Sequence, residues 1–100
     1  MNESPFLVHL WEVDPANEAA VVQHLDEMFG GIAQDPGFVS ARVLQTADHT
    51  SIAAIVEMRS AEDRQRLEQV PEVGETLRNL HGTANLVARL YHEVASYNAR

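Results

Sequence analysis

The chain has no cysteine and no lysine. Without cysteine there is no disulfide, no thiolate nucleophile and no thiolate metal site. Without lysine there is no Schiff-base chemistry and no P-loop lysine for a nucleotide phosphate. All seven cations are arginines, set against fifteen carboxylates, for a formal net charge of −8. So few cations match nucleic acid or an anionic membrane poorly, because phosphates demand clustered Lys and Arg. No apolar run approaches membrane-spanning length, and "MNESPFLVHLW" has no basic region ahead of its apolar residues. A cytoplasmic location is the expectation. No G-x-G-x-x-G follows a strand pattern, so no dinucleotide cradle is visible. No cofactor is expected, and chemistry falls to His, Asp, Glu, Arg, Tyr or the substrate.

What is present suits one small core. Hydrophobic residues make up 45% of the 100 residues, which argues against disorder and for residues 1–100 as a single domain. "PFLVHLWEV" (5–13) reads as a strand with apolar residues on both faces. "DPANEAAVVQHLDEMFGGIAQ" reads as a helix, with Asp14 as N-cap and Pro15 at its first position. Val21, Val22, Leu25, Met28, Phe29 and Ile32 form its apolar stripe. Gly30-Gly31 weakens the last turn, and "DPG" at 35–37 ends it.

"GFVSARVLQT" and "TSIAAIVEMR" read as two strands joined by a short turn at Ala47-Asp48-His49. Ser60 caps a further helix, with Asp63 three residues on. Pro71 breaks that helix and opens "PEVGETLRNLHGT", and "NLVARLYHEVASY" closes the chain as a long strand. The order βαββαβ predicts an α+β, ferredoxin-like fold with a four-stranded antiparallel sheet.

Alternation sorts the strands into two faces. Phe6, Val8 and Leu10, then Val39, Ala41 and Val43, then Ile52, Ala54, Val56 and Met58, then Leu86, Ala88, Leu90 and Val94 are assigned to the helix side. The opposite set holds Leu7, His9, Trp11 and Val13, Phe38, Ser40, Arg42 and Leu44, Ala53, Ile55 and Glu57, and Val87, Arg89, Tyr91 and Glu93. It is too apolar for water yet carries both signs of charge. Such a face predicts a homodimer, with Arg42, Arg59 and Arg89 available to pair with Glu57 and Glu93 and with Trp11 as an anchor.

Pro36-Gly37-Phe38 after a helix, a strand, the turn 47–50, a second strand and then Ser60-Ala61-Glu62 opening an acidic helix form a recognisable pattern. In this it resembles the antibiotic biosynthesis monooxygenase family of dimeric α+β barrels, over essentially the whole chain. The resemblance implies a pocket between helices and sheet and a small aromatic or polyketide-like ligand. It also implies chemistry like that of cofactor-independent oxygenases acting on a phenol or anthrone with O₂. The oxygenases it resembles carry an Asn and a Trp on the third strand, and those positions here are Ala54 and Met58. Their helical Tyr corresponds to Arg64. Haem-degrading relatives use a Trp and a His in the second helical region, and residues 64–78 contain neither.

With those positions apolar, the expected base is a histidine. His81 shares a helical stripe with Leu77 and Leu80, His92 shares a strand face with Leu90, and His24 borders the stripe of Val21 and Met28. Imidazole moves protons near neutral pH, so His81, His92 and then His24 are the candidate catalytic residues. The expected substrate wall is Val8, Leu10, Leu25, Phe29, Val43, Ala54, Val56, Met58 and Leu77, with alanines leaving room for a planar ligand. No H-x-H or H-x-x-x-H pair occurs, and no metal is expected. A histidine base serves oxygenation, or a polyketide cyclase or isomerase, equally. A non-catalytic ligand-binding dimer is the third alternative.

Overall fold

The structure, a computed structural model, describes residues 4–99. Its elements run β1 (Pro5–Val13), α1 (Glu18–Ile32), β2 (Phe38–Gln45), β3 (Ser51–Met58), α2 (Ala61–Glu68), α3 (Pro71–Leu80) and β4 (Ala84–His92). The four strands form one sheet in the order β2-β3-β1-β4, and every neighbouring pair is antiparallel. This is the ferredoxin-like α+β arrangement, in which β3 inserts between β1 and β2. Among the described residues no helix is long and apolar enough to cross a membrane.

Local sequence explains most boundaries. Ser60 caps α2 by accepting from the Asp63 amide at 3.1 Å, and its hydroxyl donates to Asp63 Oδ2 at 2.7 Å. Pro71 opens α3, where a missing N–H costs nothing. The α1 start differs from expectation. Asp14 takes the Ala16 amide at 2.9 Å and its carbonyl takes the Asn17 amide, so residues 14–17 close a turn and the helix begins at Glu18. The closing strand stops at His92, short of the residues expected to extend it.

The faces of β1 are the reverse of the expectation. Leu7, His9, Trp11 and Val13 lie on the helix side, in register with Val56, Ala54 and Ile52, and Trp11 is 2% exposed. Phe6, Val8 and Leu10 lie on the open face, Leu10 at 47% exposure. Both parities of β1 are apolar, so alternation alone does not discriminate. Side-chain volume does, because the largest apolar group gains most from the core. On β2 a register shift between Phe38 and Ser40 places Phe38 opposite Met58 on the helix side and leaves Val39 exposed. Ala41 and Val43 keep the helix side, opposite Val56 and Ala54.

The core has two lobes. Trp11, Val21, Leu25, Ile52 and Leu80 fill one, and Ile32, Val56, Met58 and Leu67 fill the other. Phe29 packs against both.

Candidate functional site

Across the middle of the sheet runs the row Val43–Ala54–His9–Ala88, one residue from each strand. An alanine on each side leaves the imidazole without a bulky lateral neighbour. Two residues along the chain, Trp11 meets the His9 ring edge-on, with centroids 5.9 Å apart and planes at 87°. His9 is 7% exposed, yet its Nδ1 is buried with no hydrogen-bond partner. Burial pushes its pKa below the ordinary 6.5, with the Glu68 carboxylate pulling the other way. A neutral imidazole is therefore the form held at pH 7, and a neutral imidazole accepts protons.

His9 lines a cavity of about 40 Å³ between the sheet and the helices. Leu7, Val56 and Met58 floor it, Met28, Phe29 and Ile32 of α1 wall one side, and Leu67 and Val73 line the other. The polar exceptions come from one helix. Arg64 and Glu68 of α2, one turn apart, pair at 2.8 Å through Arg64 Nη1. Arg64 Nε is buried without a partner. A buried polar group left unpaired costs roughly 1–3 kcal/mol. Both residues present apolar atoms to the cavity, and the two unpaired nitrogens lie just behind its apolar lining, where a ligand polar atom would reach them only if the lining gave way.

The histidines expected at the site lie elsewhere. α3 ends at Leu80, so His81 falls out of helical phase with backbone φ −62° and ψ 125° and is exposed. His92 ends β4 on the helix side and is exposed. His24 is half-buried in a polar cleft with Glu27, Glu72 and Glu75. None of the three lines the His9 cavity.

Of the expected wall, Phe29, Val56 and Met58 line that cavity. Ala54 neighbours His9 on the adjacent strand, and Val43 sits one strand further out. Leu25 and Leu77 belong to the Trp11 lobe, and Val8 and Leu10 are on the far face of the sheet. His9 is the site residue that alternation misses: Glu12 ends the Phe6, Val8, Leu10 parity and Val13 that of His9, too slight a difference to orient a strand apolar on both faces. Among the described residues no cluster of His, Asp or Glu is arranged to hold a metal ion.

No protein-family model matches the chain, and no curated protein matches it. Solved structures do. A variant of SnoaB, a cofactor-independent oxygenase from Streptomyces nogalater, is 20% identical with a TM-score of 0.81, covering 94% of this chain and 96% of its own. A proposed antibiotic biosynthesis monooxygenase from Deinococcus radiodurans is 12% identical with a TM-score of 0.83, covering 96% and 98%. A conserved Bacteroides thetaiotaomicron protein of unknown function is 11% identical with a TM-score of 0.86, covering 93% and 100%. At these identities the likeness establishes the fold.

Proposed function

We propose that this protein is a cofactor-independent oxygenase of a phenolic or anthrone-like aromatic, with His9 as its base. The observation that carries the reading is a buried imidazole, held neutral and with an unpaired Nδ1, on an apolar cavity. The likeness in fold to SnoaB supports the reaction class. His9 removes a proton from an acidic C–H or O–H, and the positive charge of the nearby Arg64 guanidinium favours the anion that forms. The anion reduces O₂, a C–O bond forms, and His9 returns its proton to the distal peroxide oxygen. Breaking the second C–H bond expels hydroxide, which leaves as water. One methylene and one O₂ become one carbonyl and one water, with all electrons supplied by substrate.

The cavity suits the oxidant. A water needs roughly 10–15 Å³ of such volume, so about 40 Å³ holds one O₂ between apolar walls. An oxygen electrode with anthrone tests the proposal. Wild-type protein should accelerate uptake, and His9→Gln should lose roughly a hundred- to ten-thousand-fold. Full activity in His9→Gln would overturn it.

A second reading has its own support. Ala54 and Met58 replace the Asn and Trp of the oxygenases the chain resembles, and proton removal beside a carbonyl also starts an aldol cyclisation or isomerisation. Turnover that persists without O₂ would favour that reading. Binding without turnover would leave a ligand-binding protein.

A further inference from the structure

The cavity beside His9 is too small for the ring of the substrate just proposed. A closed apolar cavity that takes up benzene measures roughly 150 Å³, several times the space at His9. A second cavity of about 190 Å³ lies between α1 and β2, lined by Val22, Asp26, Phe29, Ala41 and Val43. The two spaces share Phe29. They also adjoin on the sheet, because Ala41 of the second is the register partner of Val56 of the first, one strand spacing away.

We propose that the slot between α1 and β2 seats the aromatic ring system of the ligand, and that Phe29 divides it from the small chamber where His9 and O₂ meet. This rests on the proposed base and adds where the ring lies and which residue sets its size. Ala41 provides the depth, since any larger side chain would fill the floor. Val43 is 38% exposed at the slot, so the slot opens to solvent along β2. Asp26 is exposed on the same wall, which keeps a polar lip on an otherwise apolar slot. The acidic edge of a flat ring seated there would have to pass Phe29 to reach His9.

Phe29 stands where α1 is softest. Gly30 and Gly31 follow it inside the helix, and glycine costs helix stability relative to alanine. A side chain at Gly30 would meet nothing within 4 Å, so packing does not require a glycine there.

The test is an NMR titration of the whole chain with 2-naphthol, following the Val22, Ala41 and Val43 methyls and the His9 ring. All should shift with one dissociation constant. Ala41→Leu, filling the slot from the sheet, and Val43→Glu, at a tolerant exposed position, should each weaken binding at least tenfold with melting unchanged. His9→Gln should leave the methyl shifts in place. If 2-naphthol moves the His9 ring but not the methyls, or binds both slot variants as it binds wild type, the slot assignment is wrong while the base survives. If it moves the methyls and never His9, the ring site stands apart from the base and the joined site fails. Absence of binding overturns both.

Discussion

His9 carries a cost that packing alone does not repay: a ring nitrogen sealed from water with no partner. Exchanging it for phenylalanine preserves a ring against Trp11 and removes that unpaired atom. His9→Phe should therefore melt at the wild-type temperature or higher while losing activity. A large fall in melting temperature would assign the imidazole to structure instead. Linkage gives a second check. The folded pKa lies below the ordinary 6.5, so above 6.5 the group is neutral in both states and its contribution is complete. As pH falls below 6.5 the unfolded chain takes up the proton first, and stability drops until the folded pKa is passed. Urea unfolding across this range should show that slope in wild type and a smaller one in His9→Phe. The residue was hard to pick from sequence because a histidine flanked by leucines fits either face of a strand. His81 and His92 fit the periodic pattern better, but α3 ends at Leu80 and β4 at His92, and both rings are exposed.

At the level of elements, the entrance to α2 is the best-tied corner. Arg66 binds both Asp35 and Asp63, Arg59 Nε reaches Asp63 at 3.1 Å, and Asp35 Oδ1 takes the Gly37 amide at 2.8 Å. The Arg66 guanidinium first, then the Ser60 hydroxyl, hold the Asp63 pKa at about 2, below its ordinary 3.8. Its contribution is present above pH 3.8 and is lost as pH falls toward 2, so Asp63→Asn should flatten that part of an acid-unfolding curve. Ser60→Ala removes the cap and should cost about 1 kcal/mol, a drop of about 4–8 °C in melting temperature for a domain of this size. Gly37→Ala should also destabilise, since its Cβ would come within 2.6 Å of the Asp63 side chain.

This corner was legible, because a Ser with an acidic residue three positions on is a local signal. The β2 register shift and the β1 faces were not. A bulge leaves no mark in alternating apolar residues, and a strand buried on one face while apolar on both looks the same either way round. The site inherited that ambiguity: its α1 and β3 walls were readable, and its β1 member was not.

For the molecule as a whole, the sheet face away from the helices is unfinished. Phe6, Val8 and Ile55 are half-buried, while Leu10, Leu44, Val87 and Tyr91 are exposed among Arg42, Arg89 and Glu57. Arg59, expected to serve this face, is taken by Asp63. We propose that a second copy covers it. Sedimentation should give about twice the 11.1 kDa chain mass, and Leu10→Glu should give monomer. A wild-type monomer at micromolar concentration would remove the proposal.

The claim on which the account turns is that the chemistry sits at His9. Five histidines give five imidazole resonances, and the His9 signal is the one missing from His9→Gln. Following all five through a pH titration, with and without 2-naphthol, tests the claim most directly. The His9 ring should titrate below 6.5 and move on ligand addition, while ligand leaves the rings of His24, His81 and His92 unshifted. A ligand that shifts His81 or His92 and leaves His9 unmoved would contradict it.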